Sequence, residues 1–400
     1  MRRKSMTTSV LNVLLQPTMS SRRDPDKVFD GIVAKAERST QGDRAEIGDF
    51  LDGMRVLTRC FTASPRLSPM GWQSVQGDLR LRIENRMRVA RLVADRPEIL
   101  DERIERPVFI VGLPRTATTL AHHIIAKSTD HRGPALWEWM FTDIDRGEDA
   151  RRHRIVQTQR LVGTFMRLAP AFKVIHPLDA EQPDECNYLL PHGHQHLARV
   201  HMPEYYKWIE QRDAQPDYEY LKLALQVLQY GREPKRWILK SPMHLDHMPQ
   251  LQKVFPDAQI VWMHRDPVTV LGSLCSLVES SQVMHERNPD LHAIGEMWLK
   301  LQVNAIERAR KSRTDWSRSS FIDVPYPWLA AEPHEKVPIL YERLGAKWTN
   351  ADSAALEGVL ARPGIGRQHE YELGRYGLDP EQVENAFGDY PQLVEKLRLE

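Results

Sequence analysis

Residues 107–120 run PVFIVGLPRTATTL, and this stretch decides how the 400-residue chain folds. The first six residues are apolar, rich in β-branched side chains and end on Gly112, which predicts a short strand buried in a parallel sheet. The following residues form a polar turn and then open a helical pattern. A buried strand that leads through a turn into a helix is typical of an α/β fold.

Three more apolar runs have the same character and predict strands at residues 236–240, 259–263 and 320–324. Helical patterns and long connections separate the strands, which favours a parallel sheet flanked by helices. In such sheets ligands bind at the carboxyl ends of the strands, so the residues just after each run are the candidate site. The predicted helices span residues 120–127, 154–168, 218–230, 247–254, 268–283 and 292–310.

The sequence patterns divide the chain into an N-terminal helical region at residues 1–105 and an α/β domain at residues 106–400. Residues 1–25 are polar and basic without a clear period, which predicts a loosely ordered segment, whereas residues 25–106 follow a helical pattern. The long stretch between the first two strands predicts a helical insertion over the site, at about residues 130–235.

Charge and cysteine content exclude several classes of protein. Lys and Arg total 55 against 54 for Asp and Glu, and this balance argues against nucleic-acid binding. The widely spaced Cys60, Cys186 and Cys275 support neither a disulfide framework nor a zinc cluster, which indicates a reduced, cytoplasmic protein. No run approaches the roughly 20 apolar residues that cross a bilayer, so we expect no transmembrane segment. An amphipathic N-terminal segment that rests on a membrane surface remains compatible with the sequence.

The turn after the first strand is suited to holding an anion. Backbone N–H groups at the start of the following helix point outward, and the helix dipole favours negative charge there. Threonine hydroxyls add donors and an arginine adds permanent positive charge, which indicates a bound phosphate or sulfate group. The Lys of a Walker A loop is missing, which argues against ATP-dependent phosphoryl transfer. The candidate ligands are Arg115, Thr116, Ala117, Thr118 and Thr119.

The next two strand ends carry more candidate residues. Lys240 ends the second predicted strand, faces the first loop and is placed to stabilise charge on a bridging oxygen. Arg265 ends the third strand, and Ser273 follows two helical turns into the next helix. An arginine fork and a serine hydroxyl at this spacing are suited to a second anion.

These motifs and their order resemble the sulfotransferase family, in particular the cofactor motifs of tyrosylprotein and cytosolic sulfotransferases. Residues 114–119 are similar to the loop that binds the 5′-phosphosulfate, with Ala117 where glycine is usual. Residues 237–274 resemble the segment that carries a lysine and the 3′-phosphate motif. The resemblance implies a P-loop-like sheet, 3′-phosphoadenosine 5′-phosphosulfate (PAPS) as sulfuryl donor, and no metal.

The resemblance also implies a role for each matching residue. Arg115 and the loop would hold the 5′-phosphosulfate, Lys240 the bridging oxygen, and Arg265 with Ser273 the 3′-phosphate. A basic loop near the C-terminus resembles in its placement the one that covers the 3′-phosphate, which makes Arg367 a further candidate.

Transfer to a hydroxyl needs a general base, and the sequence offers several candidates. His244 resembles the histidine that follows the lysine in cytosolic sulfotransferases, and Glu138 looks like the position of the tyrosylprotein-type glutamate base. These two rank nearly level, with Glu181 and Glu185 behind them as residues of the acceptor pocket or lid. A histidine base predicts a kcat that falls below about pH 6.5, and a glutamate base one that holds to about pH 5. The histidines of residues 192–201 lack the neighbouring acids of a zinc signature, so we expect no metal site.

The sequence therefore predicts an enzyme that transfers a sulfuryl group from PAPS to a hydroxyl of a small molecule, lipid or sugar. Two alternatives stay open at this point. A P-loop-type nucleotide-dependent kinase would turn over ATP with magnesium, and a non-catalytic nucleotide-binding protein would bind the desulfated nucleotide and transfer nothing.

Overall fold

A computed structural model describes residues 5–143, 147–361 and 372–399 of the chain. Its centre is a five-stranded sheet in which every neighbouring pair of strands is parallel. The strands are β1 (Val108–Gly112), β2 (His131–Arg132), β3 (Arg236–Lys240), β4 (Gln259–His264) and β5 (Phe321–Pro325). Their order across the sheet is β2-β3-β1-β4-β5, so β1 is central, between β3 and β4.

Helices precede the sheet, connect its strands and follow its last strand. Before β1 lie α1 (Met6–Leu14), α2 (Pro25–Thr40), α3 (Gly48–Ala63) and α4 (Pro69–Asp95). Between β1 and β3 lie α5 (Thr118–Ile125), α6 (Leu136–Met140), α7 (Glu148–Leu168), α8 (Phe172–Ile175), α9 (His194–Leu197), α10 (Pro203–Gln211) and α11 (Gln215–Gln229). After β3 lie α12 (Met248–Val254), α13 (Pro267–His285), α14 (Leu291–Arg313), α15 (Tyr326–Ala330), α16 (Pro333–Leu344), α17 (Asn350–Leu360), α18 (Pro380–Ala386) and α19 (Tyr390–Leu399).

The predicted parallel sheet flanked by helices is confirmed. All four predicted strands are present within one residue of their expected bounds, and the predicted helices correspond to α5, α7, α11, α12, α13 and α14. The sequence did not show β2, because two residues are too short to give a periodic pattern.

The two faces of the sheet belong to different hydrophobic clusters, because successive residues of a strand point to opposite faces. Phe109 and Val111 of β1 join the large cluster, which also contains Phe29, Trp72 and Met87 of the N-terminal helices. Val108 and Ile110 join a smaller cluster with side chains of α5, α16 and α17. The N-terminal helices thus share a core with one face of the sheet, and the division at residue 105 stays a prediction.

The expected loose order of residues 1–25 is wrong for the part that the structure describes, residues 5–25. Ser5 caps α1 by accepting a hydrogen bond from the Thr8 N–H at 3.0 Å, and a 3₁₀ helix follows at Gln16–Arg23. The buried Thr8 hydroxyl donates to the Leu168 carbonyl at 2.9 Å, which ties α1 to the end of α7. The polar composition of this segment concealed a helix that is held by these tertiary contacts.

In the described ranges, no helix combines the length and the apolar character that spanning a membrane requires.

Candidate active site

The loop after β1 takes a conformation that depends on its small residues. Gly112 has a φ of +142°, and a Cβ there would lie 2.5 Å from the carbonyl oxygen of Met263 on β4, so only glycine fits. Arg115 and Ala117 both have a left-handed backbone, with φ values of 72° and 71°. The Thr116 hydroxyl donates to the Leu113 carbonyl at 2.8 Å. Loops with left-handed residues can aim neighbouring backbone N–H groups at one point and so form a concave site for an anion.

Helix α5 begins directly after the loop at Thr118, and no side chain caps its N-terminus. The N–H groups of its first turn therefore have no side-chain acceptor, and they lie where the helix dipole favours an anion. Thr118 and Thr119 lie in this turn. The loop, the uncapped helix and the nearby cations have the donor set that a phosphosulfate group needs.

Ala117 lies where a Cβ is unfavourable, since left-handed backbone costs an L-residue roughly 1 kcal/mol relative to glycine. Because glycine also lets the backbone approach a bound phosphate more closely, we expect Ala117→Gly to tighten the binding of 3′,5′-adenosine diphosphate and of adenosine 5′-phosphate by a similar factor, about threefold. Both ligands carry the 5′-phosphate that approaches this backbone. Calorimetry on both nucleotides measures the effect, and Ala117→Val is the opposing variant, since a β-branched residue fits this conformation worse. Tighter binding by Ala117→Val than by Ala117→Gly would contradict the assignment of the loop.

Lys240 ends β3 beside this loop and is completely buried. Its Nζ donates to the Thr119 hydroxyl at 3.3 Å and forms an ion pair with Glu185 Oε1 at 2.6 Å. β3 and β1 are neighbours, with Ile110 in register with Lys240. Parallel pairing thus brings the lysine to the anion loop, as the sequence predicted.

Glu185 precedes a 3₁₀ helix in the insertion, and its carboxylate faces Lys240. Its Oε2 accepts a hydrogen bond from the Asn187 amide at 2.7 Å. Burial opposes ionisation of the carboxyl, but the positive charge of Lys240 and the hydrogen bonds outweigh it and lower the pKa of Glu185 below its ordinary value. The preceding Asp184 has no such pairing, and burial raises its pKa to about 6. Glu185 is thus a partly buried carboxylate, ionised at neutral pH, next to Lys240.

His176 is a residue of this site that the sequence analysis did not single out. Burial is the main reason that its pKa is lowered to about 4, and the charges of Lys240 and Arg115 lower it further, whereas Glu185 opposes the shift. Its ring is therefore neutral at pH 7 and lies within the field of all three charged groups. The only signal in the sequence was its place nine residues before Glu185, which is not a motif by itself.

Arg115, Arg265 and Ser273 form one connected group. Arg115 Nε donates to the Ser273 hydroxyl at 3.0 Å, and Arg265 Nη1 donates to the Arg115 carbonyl at 2.8 Å. The Arg265 guanidinium also lies over the Tyr326 ring, 4.0 Å from its centroid. Asp266 caps α13 by accepting from the Thr269 N–H at 2.8 Å, which fixes the turn that follows Arg265. The two candidate anion-binding motifs of the sequence thus meet at the ends of the adjacent strands β1 and β4.

A buried network holds the end of β4 just before Arg265. His264 contacts the Tyr390 hydroxyl through Nδ1 at 3.1 Å and the Asp323 carboxylate through Nε2 at 2.9 Å. Arg313 forms two hydrogen bonds of 2.7 Å with the same carboxylate. Burial opposes ionisation of Asp323, but His264 and Arg313 together hold its pKa well below the ordinary range. The network ties α14, α19 and β5 to the strand that presents Arg265.

The structure does not support His244 as the base. It is completely buried, its Nδ1 contacts the Tyr218 hydroxyl at 2.8 Å, and its ring lies edge-on against Phe109 of the large core cluster, with centroids 5.1 Å apart. Burial and neighbouring positive charges lower the pKa of His244 to about 3. The His244 ring therefore stays neutral well below pH 6.5, so a fall of kcat below pH 6.5 would not report on this histidine.

The carboxylate of Glu138, the other leading candidate for the base, is bonded at the start of α6. Its Oε2 accepts from the Ala135 N–H at 3.0 Å at the start of α6, and its Oε1 accepts from Arg132 at 2.5 Å and Arg232 at 3.1 Å. These hydrogen bonds occupy both carboxylate oxygens. They give Glu138 a structural role, which is to stabilise the N-terminus of α6. Glu181 is exposed. Arg367, the other candidate ligand, lies outside the described residues.

The histidines of the insertion make separate protein contacts. His196 bonds the Pro191 carbonyl at 2.9 Å, and the His192 ring lies edge-on against Trp208, with centroids 4.8 Å apart. Within the described ranges, no group of three or more His, Cys, Asp or Glu side chains is arranged to hold a metal ion.

Comparison with known proteins agrees with this arrangement. Residues 107–350 match the model of the sulfotransferase family. The omega-hydroxy-beta-dihydromenaquinone-9 sulfotransferase Stf3 of Mycobacterium tuberculosis, and its counterpart of the same name in Mycobacterium bovis, are 26% identical over 254 residues. This alignment spans 60% of the chain and 62% of the length of each relative.

Two solved structures resemble the whole architecture. Sulfotransferase STF1 from Mycobacterium tuberculosis H37Rv has a TM-score of 0.79 and 25% identity, with 90% of this chain and 98% of that chain covered. Sulfotransferase STF9 from Mycobacterium avium has a TM-score of 0.81 and 26% identity, with 91% and 96% covered. With the family model matched over more than half of its length, the chain belongs to the sulfotransferase family of enzymes.

Proposed function

We propose that the protein transfers a sulfuryl group from PAPS to a hydroxyl of a lipid or other small-molecule acceptor. The observation that carries the proposal is the ion pair of the buried Lys240 with the partly buried Glu185 beside the anion loop, 2.6 Å between Nζ and Oε1. Such a pair supplies in one place a cation for a leaving oxygen and a carboxylate for a proton.

The residues of the site fit the donor. The loop backbone, the first turn of α5 and Arg115 would hold the 5′-phosphosulfate, with the hydroxyls of Thr118 and Thr119 as further donors. The Thr116 hydroxyl already donates to Leu113, so its contribution would come from its N–H. Arg265 and Ser273 would hold the 3′-phosphate. When bound, the donor supplies the sulfuryl group and leaves as 3′,5′-adenosine diphosphate.

Glu185 is the base in this proposal, ahead of His244 and Glu138, which ranked first on the sequence. Its carboxylate would accept the proton of the acceptor hydroxyl as the acceptor oxygen attacks. As the bond to the leaving group breaks, Lys240 would exchange its contact with Glu185 for the oxygen that becomes negative. This exchange raises the basicity of Glu185 at the moment when a proton acceptor is needed, because the charge that lowers its pKa moves away.

The acceptor class is proposed from the relative and from the surroundings of the site. Stf3 is named for a hydroxylated menaquinone derivative, which is a lipid. In this chain Arg115 Nη1 donates to the carbonyl of Ile175 at 3.0 Å, and Ile175 ends a helix whose Phe172 belongs to an apolar cluster. An apolar segment against the phosphosulfate loop suits an acceptor with a hydrocarbon tail.

The 3′-phosphate assignment is tested by Arg265→Ala. Loss of a charge-assisted contact should weaken the binding of 3′,5′-adenosine diphosphate by roughly 2–4 kcal/mol. The binding of adenosine 5′-phosphate, which lacks the 3′-phosphate, should change much less. Calorimetry with both nucleotides measures the difference. Arg318→Ala is the matched control. Arg318 is exposed just before β5, at the amino end of that strand, whereas the candidate site lies at the carboxyl ends of the strands. Equal losses for both nucleotides in Arg265→Ala would refute the assignment.

A further inference from the structure

The exposed apolar side chains of this protein are concentrated on one short helix. Among the described residues, seven large apolar side chains are exposed, and four of them lie on the nine-residue α1. They are Met6 (67% exposed), Val10 (56%), Val13 (74%) and Leu14 (68%). Single exposed apolar residues are normal, but such a cluster marks an interaction surface.

The four side chains share one face of α1, because residues four, seven and eight positions apart lie on the same side of a helix. The opposite side holds the helix to the protein. Thr8 donates to the Leu168 carbonyl at 2.9 Å, and Asn12 Oδ1 accepts from the Met70 N–H at 2.9 Å. Leu11 packs on the cluster that contains Phe172. The exposed stripe is therefore turned outward by contacts on the other side.

The segment that contains α1 and the segment that it contacts are both basic, although the whole chain has a net charge of only +1. Residues 1–23 contain no acid, and residues 150–178, which include the α7 end that Thr8 contacts, contain none either. The exposed basic residues in the described parts of the two segments are Arg23, Arg151, Arg152, Arg160, Arg167 and Lys173. Exposed cations of this kind strengthen the attraction of a protein to an anionic membrane surface.

The same contacts connect the exposed face to the candidate active site. Leu11 of α1 packs on the cluster of Leu168 and Phe172, and α8 runs from Phe172 to Ile175, whose carbonyl accepts from Arg115. One short apolar segment thus lies between the outer face of α1 and the loop assigned to the phosphosulfate.

We propose that the apolar face of α1 docks on the surface of an anionic lipid bilayer, with the exposed basic residues of segments 5–23 and 150–178 at the headgroups. An apolar stripe flanked by cations is typical of helices that lie in the membrane interface. A second copy of the chain is the poorer occupant, because docking α1 on α1 would bring the two basic segments against their own copies. Delivery of a lipid acceptor along α7 and α8 rests on the proposed function, whereas the docking itself does not.

Vesicle flotation tests the docking without any activity. The full-length protein is mixed with vesicles of phosphatidylcholine alone or with about one third phosphatidylglycerol. We expect binding to the anionic vesicles, weakened by salt, and a loss of about tenfold or more in the double variant Val10→Glu/Val13→Glu. Val10→Ser/Val13→Ser removes the apolar area without adding charge and should weaken binding in the same direction. Leu100→Glu is the matched control, because Leu100 is 54% exposed on a 3₁₀ helix outside α1. This variant should bind the vesicles as the wild type does.

Each variant is also checked for binding of 3′,5′-adenosine diphosphate and for its mass by sedimentation velocity. Intact nucleotide binding with lost flotation supports the docking and leaves the proposed function untouched. Failure of the wild type to float with anionic vesicles, or equal flotation of the α1 variants, overturns the proposal. A dimer of the wild type that the α1 variants abolish also overturns it, since the face would then be covered by a second copy.

Discussion

Lys240→Ala is expected to lower kcat by about 10²–10³, because the ammonium group stabilises negative charge that develops only in the transition state. Affinity for 3′,5′-adenosine diphosphate should change little, since the phosphates are assigned to Arg115, Arg265 and Ser273. Steady-state turnover together with calorimetry measures the two effects. The contacts of Lys240 with Glu185 and Thr119 place this ammonium group beside the anion loop.

Lys235→Ala is the matched control for this variant, since Lys235 is exposed immediately before β3, at the other end of the same strand. We expect it to turn over as the wild type does. If Lys240→Ala binds the nucleotide poorly but reaches normal turnover at saturation, Lys240 is a binding residue and the role given to it is wrong.

Glu185→Gln is expected to lower kcat by roughly 10²–10⁴, the usual contribution of a general base, and to raise KM much less. The amide keeps the shape of the side chain and a hydrogen bond to Lys240, so that the fold and the nucleotide site should survive. Glu138→Gln should instead lower Tm, because it loosens the start of α6, and should leave kcat within a few-fold of the wild type. Glu181→Gln should change neither kcat nor Tm, because the Glu181 side chain is exposed.

The pH dependence separates Glu185 from a structural acid. Because the pKa of Glu185 is lowered, its carboxylate stays ionised from neutral pH to below the ordinary glutamate value of about 4.3, and kcat should hold over that interval. Removing Lys240 leaves burial as the main influence, which raises the pKa of a carboxyl group. In Lys240→Ala the acidic limb of kcat should therefore move to higher pH. An acidic limb that stays in place in Lys240→Ala would show that another group titrates, and His176 is the nearest alternative.

The sheet and its anion loop could be predicted because their signals are local. Residues 107–120 contain a strand, a turn and a helix start in direct succession, and Lys240 and Arg265 each end a strand that the apolar pattern reveals. Parallel pairing then brings strand ends together without any further information. Position along the chain was thus enough to place Lys240 beside the loop.

The partner of Lys240 could not be predicted in the same way. Glu185 precedes it by 55 residues and lies in the insertion, where tertiary packing alone decides which acid reaches the lysine. His244 and Glu138 had sequence support, yet one is buried against Phe109 and the other clamps a helix start. Helix α1 was missed for a related reason, since contacts with Leu168 and Met70 hold it in place.

The central claim is most directly tested with PAPS that carries a labelled sulfuryl group, incubated without metal ions and with lipid, sterol, phenol or sugar hydroxyl acceptors. The account predicts that label appears on a hydroxylated lipid in step with release of 3′,5′-adenosine diphosphate, and that Glu185→Gln abolishes most of this transfer. Tight nucleotide binding with no transfer to any acceptor class would indicate a non-catalytic binding protein. Magnesium-dependent turnover of ATP in place of sulfuryl transfer would indicate a kinase, and either result would contradict the account.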